Sequence, residues 1–183
     1  MLATLYSEGL GVSQTNHHLG AFLDYLFHRY PRMRILEVGT GTGSSTSIAL
    51  KHLKFKLEEY TFTDLSPSSF EAAQARFPEN KQLMKFKTLD INQSPTEQGF
   101  QENSYDIIIA AHVLQATKSV YEALKHCRQL LRPGGYLILL EPVSQTTFRN
   151  PFLFSTSSLR WFSHEMVIAK APQLQRQSGM YSY

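Results

Sequence analysis

Short apolar runs alternate along this chain with amphipathic stretches, and the alternation predicts its elements. Leu19, Phe22, Leu23, Leu26 and Phe27 recur at helical spacing until Pro31 interrupts them, so residues 1–33 read as a helical lead-in. Such a segment serves either as a lid on a pocket or as cover for the sheet edge. Arg34 to Val38 is a short buried strand, Ser45 to Leu53 a helix, and Tyr60 to Thr63 a second strand ending at Asp64. Ser66 and Pro67 are suited to cap and start the next helix, whose Phe70, Ala73 and Phe77 share one face before Pro78 ends it. Lys85 to Leu89 alternates polar and apolar positions as a half-buried strand does, and Asp90 closes it. A polar loop over 92–104 leads into Tyr105 to Ala111, apolar on both faces as a central parallel strand must be. That strand delivers His112 and Gln115. Val120, Leu124, Cys127 and Leu131 then mark a helix, Arg132-Pro133-Gly134-Gly135 a turn, and Tyr136 to Leu140 a fifth strand ending at Glu141.

Strand and helix exchange at intervals of roughly 20 to 30 residues, which predicts an α/β fold with a doubly wound, mostly parallel sheet. Right-handed crossovers bring the strand ends to one edge. Three parts are expected: the lead-in over 1–33, an α/β core over 34–141, and a partial substrate-side segment and tail over 142–183. With 183 residues, 42% of them hydrophobic, the chain can bury a real core as one domain. Its apolar runs are too short to span a membrane, and its start lacks the pattern of a signal peptide. A single cysteine, Cys127, excludes an internal disulfide framework and points to a reducing, cytoplasmic setting. At net charge +3 the basic residues are scattered among acids, with no stripe for nucleic acid. No His/Cys/Asp cluster has metal-ligand spacing. The adjacent His17 and His18 are read as solvated loop residues, and Cys127 as core.

The chemistry concentrates after the first strand. Glu37-Val38-Gly39-Thr40-Gly41-Thr42-Gly43 places three alternating glycines behind an acid, with Ser44 and Ser45 ready to begin a helix. A strand, a glycine turn and a helix start make a nucleotide-type site. The third glycine comes one residue too early for the dinucleotide fingerprint, which argues against a nicotinamide-linked oxidoreductase. The pattern resembles instead the first motif of class I S-adenosylmethionine methyltransferases, in which the acid supports the loop or the methionine ammonium. Asp64, at the end of the second strand, is placed to accept from ribose hydroxyls, or else serves as a turn or cap residue. Leu65 follows it in the cofactor-binding set. Asp90 is placed for the adenine amine with Ile91 packing on the ring, or is a simple polar strand end.

Several blocks together are more specific. Ile35 to Gly43, Tyr60-Thr61-Phe62-Thr63-Asp64-Leu65-Ser66, Phe86 to Ile91, Ala110 to Thr117 and Leu130 to Gly135 resemble the C-methyltransferase domain of fungal highly reducing polyketide synthases. The resemblance covers roughly residues 30–165 and implies methyl transfer from S-adenosylmethionine to the α-carbon of a β-ketoacyl thioester on an acyl carrier protein. Family members carry a histidine general base at the position of Gln115, oriented by a glutamate at the position of Glu141. A glutamine amide accepts no proton near neutral pH, so His112 is the substitute base, a cofactor contact, or a buried imidazole. The alternative function is a non-catalytic remnant that binds the cofactor or packs against synthase partners. Phe148, Phe152, Phe154, Trp161 and Phe162 resemble the segment lining the acyl pocket, or else pack over the sheet. The family's C-terminal antiparallel hairpin is expected to be missing, as in a truncated or split-off domain. That leaves an open edge on the fifth strand through which the chain can self-associate.

Overall fold

The apolar runs at 33–38, 105–111 and 137–140 send alternate side chains to opposite faces, so both faces of the strands they form must be covered. In a computed structural model, which describes residues 12–30, 32–53, 57–144 and 162–171, they lie side by side in one six-stranded sheet. The elements in chain order are α1 (Val12–Arg29), β1 (Met33–Val38), α2 (Ser44–Leu53), β2 (Leu57–Asp64), α3 (Ser68–Arg76), β3 (Met84–Thr88), β4 (Tyr105–Ala111), α4 (Val120–Leu130), β5 (Leu131–Ser144) and β6 (Phe162–Lys170). Strand order is β3-β2-β1-β4-β5-β6, parallel throughout except for β6 against β5. This is the doubly wound α/β arrangement expected, with the order reversing between β1 and β4.

Alternation sorts the core into two layers. Ile35, Tyr60, Phe62, Ile107, Ile109 and Ile138 join Leu19, Leu23 and Leu26 of α1 and Ala49 of α2 on one face. Leu36, Val38, Ile108, Ala110 and Leu137 meet Ala123, Cys127 and Leu130 of α4 on the other. Cys127 is therefore core, and burial pushes its thiol up to about 12. His17 and His18 are exposed as expected, but on α1 rather than in a loop. Ser66 Oγ accepts the Ser68 N–H at 3.3 Å, and Pro67 sits just ahead of the regular helix rather than in it. For α4 the cap is Ser119, whose side chain accepts from the Glu122 N–H.

Two expectations are corrected at the far end. Arg132-Pro133-Gly134-Gly135 is no free turn; β5 begins at Leu131, pairs with Tyr105, and bulges before resuming at Ile107↔Tyr136. A Cβ on Gly135 would stand 2.9 Å from the Asp106 carbonyl oxygen, which is why the bulge takes glycine there. The open edge expected on β5, and the route to self-association through it, is absent because β6 pairs antiparallel along it from Tyr136↔Lys170 to Ser144↔Phe162. One antiparallel strand thus stands where the whole C-terminal hairpin was expected to be missing. Pairing between β4 and β5 stops at Ala111↔Leu140, so the β5–β6 ribbon overhangs the carboxyl edge of the sheet by the pairs of Glu141 to Ser144. Phe148, Phe152, Phe154 and Trp161 lie outside the described residues, as does the side chain of Phe162.

Candidate functional site

Where the strand order reverses, the loops leaving β1 and β4 diverge and open a cleft at the carboxyl edge, the usual ligand position in such sheets. Its walls are Val38 and Gly39 from β1 and its turn, Asp64 and Leu65 after β2, Leu89 to Asn92 after β3, and His112, Val113, Ala116 and Thr117 after β4. The space between them that a water-sized sphere can occupy is about 160 Å³. Of the residues picked out from the sequence, Gly39, Asp64, Leu65, Asp90, Ile91 and His112 line this one cleft. Glu37, Gly41, Gly43, Gln115 and Glu141 do not.

Gly39, Gly41 and Gly43 all have positive φ. At Gly39 the requirement is double, since a Cβ would also come within 2.7 Å of Val113 Cγ2 across the cleft. The turn is fastened to the end of β2: Thr40 N–H donates to the Thr63 carbonyl at 3.0 Å, and Gly41 N–H to Asp64 Oδ2 at 3.0 Å. Asp64 Oδ1 accepts the Ser66 N–H at 3.1 Å. Asp64 is thus a turn residue in this structure, yet one that still faces the cleft. Leu65 beside it is 67% exposed at the rim.

Glu37 is 1% exposed and lies beneath the turn. Its carboxylate accepts from the hydroxyls of Thr46 on α2 and Tyr60 on β2, locking three elements under the glycines. Burial pushes Glu37 up to about 7, and the two hydroxyls pull it partly back. Of the two roles expected for this acid, the geometry matches loop support.

Asp90 is held low by the side-chain and backbone N–H groups of Asn92. Oδ1 accepts both, at 2.9 and 3.0 Å, and Oδ2 accepts Gln93 Nε2 at 2.9 Å. Gln98 clamps the Asp90 main chain, donating to its carbonyl and accepting its N–H.

The loop after β4 starts with His112 at φ +59, a conformation few non-glycine residues adopt and one that concentrates at functional positions. Its N–H donates to the Leu140 carbonyl at 2.8 Å. Burial pushes its imidazole down, so it is neutral at pH 7. Glu141, at the end of the β5 register with β4, accepts the Val113 and Leu114 N–H groups on one oxygen at 3.0 and 2.9 Å. It therefore holds the loop rather than a side chain at 115, and Gln115 is exposed. Val38, Leu89, Asn92, Val113, Ala116 and Thr117 were not picked out as site residues. Val113, Ala116 and Thr117 fall in the block that carried the family resemblance, whereas nothing in the sequence marks Asn92.

The chemistry of the walls is lopsided. Two carboxylates face the cleft, and none of its lining residues is lysine or arginine. That set suits a cationic or neutral nucleoside and offers nothing to neutralise a pyrophosphate. Among the described residues no group of acids, histidines and cysteines could hold a metal ion.

Residues 36–137 match a family described as a methyltransferase domain. A reducing polyketide synthase from Penicillium sp. is 49% identical over 141 residues, which cover 77% of this chain and 6% of that protein. The chain thus spans a small fraction of the length of such curated relatives. Among solved structures, the CurJ carbon methyltransferase superposes with a TM-score of 0.73 at 37% identity, covering 79% of this chain and 39% of that one. The trans-methyltransferase CalH, solved in complex with SAH, gives 0.66 at 33% identity, covering 79% and 43%.

Proposed function

The chain belongs to the methyltransferase-domain family, and from that premise we propose that it binds S-adenosylmethionine in the cleft and methylates the α-carbon of a β-ketoacyl thioester borne by an acyl carrier protein, within a polyketide synthase. The observation that carries this reading is the cleft's charge: Asp64 and Asp90 project from neighbouring strand ends, each followed by an apolar residue, Leu65 and Ile91, and no lysine or arginine lines the cleft with them. In this reading Asp64 accepts from the ribose hydroxyls and Asp90 from the adenine amine, with Ile91 against the ring and Gly39 letting the ligand approach bare main chain. When bound, S-adenosylmethionine supplies an electrophilic methyl on a sulfonium.

The residue that takes the α-proton in this reading is His112. Its imidazole is neutral at pH 7 and lines the cleft, and Glu141 fixes the main chain that follows it. The proton would move to the imidazole, and the C–H electron pair would be left to take up the methyl that bound S-adenosylmethionine would supply, its sulfur released as a neutral thioether. General-base help of this kind is worth about 10²–10⁴-fold. A second reading, a cofactor-binding domain without turnover, rests on Gln115 at the position where the family carries its base.

Titration calorimetry with S-adenosylmethionine and a mass-shift assay on a β-ketoacyl carrier protein test both. Saturable heat together with a mass gain of one methylene is expected. Binding without the mass gain selects the second reading, and no heat rejects both. Where turnover is seen, His112→Ala should lower it about 100-fold or more with cofactor affinity kept. Because burial depresses the imidazole, the acid limb of wild-type kcat/KM should lie below the ordinary histidine range; a limb above it rejects His112 as base.

A further inference from the structure

One side chain in the cleft wall has both ends of its amide engaged, and by two different loops. Asn92 Nδ2 donates to Asp90 Oδ1 at 2.9 Å, its N–H donates to the same oxygen at 3.0 Å, and its Oδ1 accepts the Lys118 N–H at 2.7 Å. It therefore fastens the loop after β3 to the loop after β4, the two walls that face each other across one end of the cleft. Asp90 receives these bonds unequally. Oδ1 takes both Asn92 donors, while Oδ2 takes one amide, from Gln93 at an exposed position. A carboxylate oxygen can accept two hydrogen bonds, so Oδ2 retains capacity and Oδ1 does not.

We propose that Asn92 is a positioning residue for adenine recognition, fixing the Asp90 carboxylate so that its second oxygen reads an exocyclic amine. The inference rests on the cofactor assignment above and goes beyond it by naming what makes the cleft selective for an amino-purine. Without the Asn92 amide the carboxylate keeps the residue-92 main-chain N–H on Oδ1 and the exposed Gln93 amide on Oδ2 but loses the side-chain donor that sets its angle, and the wall carrying Thr117 and Lys118 loses its tie to the loop after β3.

The test compares S-adenosylhomocysteine with its purine analogue, in which hydrogen replaces the adenine amine, by calorimetry on the 183-residue chain. The wild type should prefer the amine-bearing ligand by about 10- to 100-fold, as for a hydrogen bond to a charged group. Asn92→Ala should narrow the preference to about threefold or less while also weakening both ligands. Asn92→Asp, equal in size, keeps an acceptor for Lys118 and sets a carboxylate against Asp90; it should narrow the preference to a similar extent. Equal losses for both ligands, with the preference intact in either folded variant, would make Asn92 merely structural and overturn the proposal. So would a wild type that binds both ligands equally. If the wild type binds neither, the cofactor assignment itself fails and this inference with it.

Discussion

A carboxyl group sealed under a turn is an unusual support, and Glu37 bears on how this protein responds to pH. Its carboxylate meets two hydroxyls and no cation, so burial dominates and raises it from 4.5 to about 7. A raised carboxyl binds its proton more tightly in the folded state. Its stabilising contribution is therefore fully present below about pH 4.5 and is lost as pH rises to about 7. The loss is on the order of 3 kcal/mol. Glu37→Gln keeps a carbonyl oxygen for Thr46 and Tyr60 and cannot ionise. In urea titrations the stability difference between variant and wild type should move in the variant's favour by about that amount between pH 4.5 and 8, then level off. A difference that stays constant over the window would show that Glu37 does not titrate there. The same residue shows where reading from sequence stops. The acid two places before the first glycine is conspicuous, but its alternatives, ligand contact or loop support, differ only in which way one side chain points. Tyr60, 23 positions away, decides that.

Among elements, the segment from His112 to Lys118 matters most, because it has almost no regular structure and still forms a wall. Its short 3-10 turn, Leu114–Ala116, is pinned from both sides, by Glu141 on β5 and by Asn92 after β3. Removing the Glu141 pin leaves the Val113 and Leu114 N–H groups without their acceptor. Glu141→Ala should destabilise the chain by about 2 kcal/mol in urea unfolding, while Glu141→Gln, which keeps an oxygen, should lose less than half of that. Turnover in Glu141→Ala should fall further than cofactor affinity, since the pinned loop carries His112, whereas the proposed cofactor contacts Gly39, Asp64 and Asp90 follow β1, β2 and β3. Equal falls would assign Glu141 to folding alone. The strands were legible wherever both faces are buried, as at Ile35 to Val38 and Ile107 to Ala110, since burial on both sides writes a continuous apolar run. Leu131 was not. It continues the apolar spacing of α4 and reads as its last turn, but in the fold it already pairs with Tyr105.

At the scale of the molecule, the six strands and two core layers of the described residues set the site's position, and the expected crossovers account for it. What sequence alone did not yield is β6. Its residues mix polar and apolar positions because an edge strand needs only one partner, and that partner precedes it by a long interval in the chain. The consequence of β6 reaches past the sheet. Beyond Leu140, β5 keeps β6 but has outrun β4, so among the described residues the overhanging ribbon has no third strand, and Pro142 within it has no N–H to give. Two strands without a third are marginal in water. In deuterium exchange the amides of Glu141, Val143 and Ser144 should therefore label well before those of Leu137 to Leu140, making this parapet at the carboxyl edge the first part of the sheet to fray.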